Sequence, residues 1–299
     1  MSQPFESVIR AAGPVIDPQF AKVLYAPALA NSPPGGSVQR NIAYGAHARQ
    51  VLDLHRPADG DGAGNADGCP VLIFLHGGGF LRGDKADRDN VGRYFSRHGV
   101  LTLVPNYRLA PEHGWPAGPQ DVASVFAWAQ RHVAEYGGDP RRIVVAGESA
   151  GAAHAAAAVL VGRLQQAGGL PAAGLVLISG VYNAQLELRA RKQLGIATPD
   201  PRNEAYFGTD FARYPDMSTV ELIDAPPLPV LISYAELDPV QMQVQAGELF
   251  ARLVTRHGYD PEIQVVRGHN HLTQLYAIDT GDESLAGGML EFVRGVPPR

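Results

Sequence analysis

The chain has 299 residues, 45% of them hydrophobic, with 25 basic and 30 acidic side chains and a formal net charge of −5. That length and apolar content suffice for one large α/β domain or two small ones with a substantial core, and the charges are too scattered to form a basic face for nucleic acid. Cys69 is the sole cysteine, which excludes an internal disulfide, a cysteine-based zinc site and an iron–sulfur cluster.

Residues 1–36 are rich in proline and alanine and show no strand pattern. Residues 1–17 never build the apolar core of a signal peptide, and no run in the chain approaches a membrane span, so a cytoplasmic location is expected and no membrane partner. Stretches 38–44 and 50–54 read as two strands joined by Gly45-Ala46-His47, an antiparallel start to a sheet. The Gly/Asp/Asn run at 59–68 is a surface loop. From Val71 onward, short apolar strands at 71–75, 100–105, 143–146, 175–179, 230–234 and 263–266 alternate with longer amphipathic segments at 86–98, 119–136, 150–166, 242–258 and 284–293. This alternation predicts a mainly parallel sheet with helices on both faces. Residues 183–224 break it with charged, aromatic and proline residues. They fall between two strands on the carboxyl side of the sheet, where open α/β folds bind ligands. We expect 1–36 and 183–224 to form a small cap on a single domain spanning 1–299.

The run Ile143-Val144-Val145-Ala146-Gly147-Glu148-Ser149-Ala150-Gly151 passes from an apolar strand through Gly-x-Ser-x-Gly into an alanine-rich helix. This is the sequence form of a nucleophile elbow, with Ser149 exposed at a sharp bend and glycines where side chains would collide with the neighbouring strand or helix. A serine hydroxyl needs a general base and a carboxylate that orients it. Asp238, just past the strand at 230–234, fits the carboxylate role, with Glu236 as a rival whose other reading is to cap or hydrogen-bond the same loop. The base is expected in Gly268-His269-Asn270-His271, and spacing does not choose between His269 and His271. His-x-His also resembles half a metal site, but no third ligand clusters nearby. The strand at 71–75 opens into His76-Gly77-Gly78-Gly79-Phe80, whose glycines let backbone amides approach a substrate. Gly77 and Gly78, with Ala150, are the expected oxyanion donors, and His76 is expected to stabilise the loop. Phe80, Val181, Tyr182, Tyr206, Phe207 and Tyr214 could wall an apolar pocket or simply pack in the core.

His76-Gly-Gly-Gly-Phe80, Gly147-Glu-Ser-Ala-Gly151, and Tyr107-Arg-Leu-Ala-Pro-Glu112 with Trp115-Pro-Ala117 and Asp121 together cover most of residues 70–160. In them the chain resembles the hormone-sensitive-lipase-like branch of the α/β-hydrolases. The resemblance implies an α/β-hydrolase fold, with a mostly parallel eight-stranded sheet, helices on both faces and a small cap. It implies a carboxylesterase for short to medium acyl esters that needs no cofactor. It also places the family's Gly-x-x-His-Gly-Phe on Gly268 to Thr273, giving His271 the catalytic place. Leu272-Thr273 departs from the usual Gly-Phe, and Ala152 stands where a second glycine is common. Gly268-His-Asn-His is nearer to small feruloyl-esterase and kynurenine-formamidase relatives. An arylformamidase using the same groups is therefore the alternative to an ester hydrolase, and a non-catalytic binding protein would be expected to have lost a member of the triad. The expected partner is a small-molecule ester; pairing of two copies through edge strands or the last helix is left open.

Overall fold

A computed structural model describes residues 5–57, 68–165, 169–186 and 200–299. The strands β1 (Ser37–Ala43), β2 (Val51–Arg56), β3 (Cys69–Leu75), β4 (Leu101–Pro105), β5 (Gly138–Glu148), β6 (Gly174–Ile178), β7 (Val230–Leu237) and β8 (Glu262–Asn270) form one sheet in the order β1-β2-β4-β3-β5-β6-β7-β8. β1 runs antiparallel to β2 and β2 to β4, and all other neighbours are parallel. The expected eight strands are all present. β5 extends well beyond its β-branched centre, because its carboxyl half is paired on both sides, Leu75 with Gly147 and Glu148 with Ile178.

The helices in chain order are α1 (Glu6–Ala12), α2 (Pro18–Ala30), α3 (Asp89–Arg97), α4 (Ala117–His132), α5 (Ala150–Leu160), α6 (Pro201–Phe207), α7 (Thr219–Leu222), α8 (Val240–His257), α9 (Thr273–Tyr276) and α10 (Ala286–Gly295). Every residue of β3 is buried, as expected of a parallel strand covered on both faces. Its alternate side chains go to opposite sides. Val71, Ile73 and Leu75 join the cluster packed by α4, α5 and α8, whereas Leu72 and Phe74 join the one packed by α3 and α10. α5 is buried along its whole length. Its alanines let the helix lie close to the sheet, and close packing rather than an amphipathic stripe holds it there. It ends at Leu160 rather than near residue 166. Val161 leaves helical geometry, and the Gly162 amide turns to the Asp224 carboxylate.

The two stretches without a strand pattern fold into short helices. Asp17 caps α2 by accepting from the amides of Gln19 and Phe20 at 2.9 and 3.1 Å, with Pro18 in the first turn. Ala21 and Tyr25 of α2 then pack on Leu272, Tyr276 and Ala277. In the second stretch, α6, a 3₁₀ segment Phe211–Met217 and α7 are formed, while 187–199 lie outside the described residues. Among the described residues no helix is long and apolar enough to cross a membrane.

Candidate active site

Ser149 occupies the bend between β5 and α5 with φ 51° and ψ −118°. A non-glycine residue seldom adopts positive φ, and strain of this kind is typical of a nucleophile elbow. Its amide donates to Ile178 O at 2.8 Å and its carbonyl accepts from Ala153 at 3.1 Å, so the bend is pinned on both sides. The flanking glycines are required by contact. A Cβ on Gly147 would lie 2.5 Å from the Gly151 backbone, and one on Gly151 would lie 2.4 Å from Leu75 O.

At the carboxyl ends of β7 and β8, His271 Nδ1–H donates to Asp238 Oδ1 at 2.6 Å, and both residues are buried. The other Asp238 oxygen accepts from Ser179 Oγ at 2.6 Å and from the Ala235 amide at 2.8 Å. Gln274 Nε2 then donates to Ser179 Oγ at 2.9 Å and to His271 O at 3.1 Å. A carboxylate so held has a fixed orientation, and so does the imidazole on it. Ser179 and Gln274 escape a sequence reading because their serine and glutamine signals are common ones and their partners are distant in the chain.

The rivals have other occupations. Glu236 accepts from the Gly268 amide at 2.8 Å and pairs with Arg10 at 3.0 Å. The Arg10 hydrogen bond, then that amide, hold its carboxyl below the ordinary value. His269 is fully buried, with Nδ1 3.3 Å from Thr273 Oγ1 and Nε2 3.2 Å from Asp282 Oδ2. Burial works to raise the Asp282 pKa, but the hydrogen bonds from His269 and Ser284 prevail and lower it. Among the described residues no group of three or more His, Cys, Asp or Glu side chains is placed to hold a metal ion.

The glycine loop departs from expectation at one position. The Gly77 amide donates to Glu148 Oε1 at 2.9 Å, so it is not free to face a substrate. Glu148 is in turn held by Arg88 Nε at 2.6 Å, with both side chains buried. Burial pulls the Arg88 pKa down, but the adjacent carboxylate more than offsets this and raises it. The Arg88 guanidinium also lies 4.9 Å from the centre of the Tyr276 ring. The amides of Gly78, Gly79 and Ala150 meet no acceptor among the described residues, and Gly78 and Gly79 have φ of 138° and 60°. Gly79 therefore replaces Gly77 beside Gly78 and Ala150 as an available donor. Three glycines in a row cannot reveal which amide is taken; the partner, Glu148, is 71 residues away. His76 stabilises the loop through Nδ1–H to Gly77 O at 2.7 Å and stacks on Tyr107 with ring centres 4.4 Å apart.

These groups open on one cleft of about 290 Å³, lined by Ser149, His271, Gly77, Gly78, Gly79 and Ala150. Ile16, Pro18, Met242, Leu272 and Tyr276 border it as well, and Arg82, Asp87, Arg88, Glu148, Asp200, Arg202 and Asn203 add polar groups. Of the expected apolar wall, Phe80 and Val181 line the cleft. Tyr182, Tyr206, Phe207 and Tyr214 do not line it. Tyr206 stacks on Phe80 at 4.3 Å, Phe207 and Tyr214 join the same buried cluster, and Tyr182 lies in the core beneath the sheet. They support the cleft wall from behind.

A central elbow serine, an acid and a histidine at the ends of β7 and β8, and an eight-stranded sheet antiparallel at one edge define the class. Residues 72–275 match the family described by the α/β-hydrolase fold, and the chain belongs to that family. It is similar to the carboxylesterase NlhH of Mycobacterium tuberculosis, 29% identical over 246 residues that span 77% of this chain and 75% of the relative. Among solved structures it is similar to a bacterial heroin esterase, with a TM-score of 0.73 and 25% identity over 97% of this chain and 95% of the other. A hyperthermophilic esterase from the archaeon Pyrobaculum calidifontis gives 0.69 and 26% over 92% and 88%.

Proposed function

We propose that the chain is a serine carboxylesterase acting on short to medium acyl esters. Ser149 attacks the ester carbonyl while His271, oriented by Asp238, takes its proton and then delivers it to the leaving alkoxide. The oxyanion is held by the amides of Gly78, Gly79 and Ala150, and water repeats the sequence on the acyl-enzyme. Residues 5–36 and 200–224 serve as the cap, placing Ile16, Pro18, Arg202 and Asn203 on the cleft. The observation that carries the reading is the 2.6 Å His271–Asp238 pair on the same cleft as Ser149. The esterase names of the relatives agree with it.

The test is hydrolysis of p-nitrophenyl butyrate with N-formylkynurenine in parallel, together with labelling by an organophosphonate. Ester turnover that is lost in Ser149→Ala and His271→Ala, with label on Ser149, is expected. Turnover of the formamide alone would transfer the same machinery to an arylformamidase. Neither turnover nor labelling would remove the enzyme reading.

A further inference from the structure

We infer that the cleft selects acyl groups bearing an uncharged hydrogen-bonding oxygen, which the side chain of Asn203 recognises; this rests on the esterase reading above. The charged side chains inside the cleft already have partners. Arg88 is paired with Glu148 at 2.6 Å and Arg202 with Asp200 at 2.7 Å. Arg82 and Asp87 sit exposed at the rim. Asn203 differs from all of these. It lines the cleft and is only 8% exposed, yet among the described residues its carboxamide makes no hydrogen bond. Asn90 and Gln245, buried away from the cleft, take protein partners instead, Asn90 Nδ2 donating to Leu275 O and Ile278 O and Gln245 bonding the backbone of 182 and 183. The polar atoms of Asn203 are reached by solvent rather than sealed in, so a ligand that enters must replace the hydrogen bonds to the water it displaces. With one donor group and one acceptor the carboxamide can meet a carbonyl, an ether or a hydroxyl oxygen, and it cannot neutralise a buried carboxylate.

The position of Asn203 assigns the recognised group to the acyl portion. α6 lies over the glycine loop, with the Arg202 side chain 2.9 Å from where a Gly79 Cβ would project and Tyr206 stacked on Phe80. The leaving alkoxide must sit beside His271 to receive its proton, where Leu272 and Tyr276 border the cleft. A group reaching α6 is thus on the other side of the scissile bond.

The experiment compares p-nitrophenyl 4-oxopentanoate with p-nitrophenyl pentanoate, which differ by a carbonyl in place of a methylene, with each kcat/KM divided by the ester's hydroxide-catalysed rate. The wild type should favour the keto ester by about ten-fold or more, the scale of one buried hydrogen bond made or left unmade. In Asn203→Leu and Asn203→Ala the ratio should fall to near one. A wild-type ratio near one overturns the inference without any variant, and so does a preference that survives both substitutions. If both esters are turned over equally and Ser149 is labelled, the inference fails and the esterase reading stands. If neither ester is turned over and Ser149 is not labelled, both fail.

Discussion

Replacing Arg88 by leucine would leave the Glu148 carboxylate 2% exposed with only the Gly77 amide for company. Removing one partner of a buried ion pair costs about 3–5 kcal/mol, because the remaining charge is stripped of water without compensation. Glu148→Leu would strand the Arg88 guanidinium in the same way. The double variant Arg88→Leu/Glu148→Leu, which carries no orphaned charge, should recover most of that loss. Urea unfolding followed by circular dichroism measures it; with a slope of about 3 kcal/mol per molar, each single variant should lower the midpoint by roughly 1 M or more. The same cycle read by esterase activity has a different expected pattern. Both the Arg88 single variant and the double variant should lose activity, since in each the Gly77 strut is weakened or gone and the neighbouring amides of Gly78 and Gly79 lose their fixed aim. Single variants destabilised by less than about 1 kcal/mol, or a double variant no more stable than the singles, would refute the claim that this pair is a desolvated, mutually dependent unit.

Other outcomes follow from the same geometry. Asp238→Asn should lower kcat by about 10³-fold or more, whereas Glu236→Gln, whose carboxylate meets Arg10 and Gly268 instead of the base, should stay within about ten-fold. Ser179→Ala removes a 2.6 Å hydrogen bond to Asp238; a drop of roughly ten-fold in kcat with KM nearly unchanged, and recovery in Ser179→Thr, would mark Ser179 as a positioning residue. Burial lowers the pKa of His55 and His76 to about 4 and of His154 to about 3. These imidazoles stay neutral in the folded chain but gain protons near 6.5 once unfolded, so their contribution is complete above pH 6.5 and is lost as pH falls toward 4. For His76 alone the drop from pH 6.5 to 5 is about 2 kcal/mol, and the urea midpoint should decline measurably over that interval, less steeply in His154→Phe. A flat profile between pH 7 and 5 would contradict it.

What could be read from the residues was whatever depends on neighbours in sequence. The β-branched runs at 71–75 and 143–146 announce buried parallel strands because both faces must be apolar, and Gly147 and Gly151 mark the elbow because a Cβ there meets backbone within 2.5 Å. Arrangements made by chain crossings were closed to that reading. His269 and His271 stand two residues apart at the end of the same strand, and only the approach of Asp282 to the first and Asp238 to the second separates them. Gly77 looked as available as Gly78 until Glu148, arriving from β5, engaged its amide. Tyr206 and Phe207 have the composition of a pocket wall, yet their position behind Phe80 depends on how α6 lies on the glycine loop, which no periodicity encodes.

The base loop is fastened by segments far from it in the chain. Gly268 is held by Glu236, which is paired with Arg10, and Asn270 Nδ2 donates to Gly13 O at 3.3 Å. The elbow and its glycine loop draw on β3, β5 and β6, but the seat of His271 is completed only when the segment carrying Arg10 and Gly13 docks on it. Appearance of esterase activity on a refolding chain would accordingly report docking of the segment around α1 on the β8 loop rather than formation of the sheet.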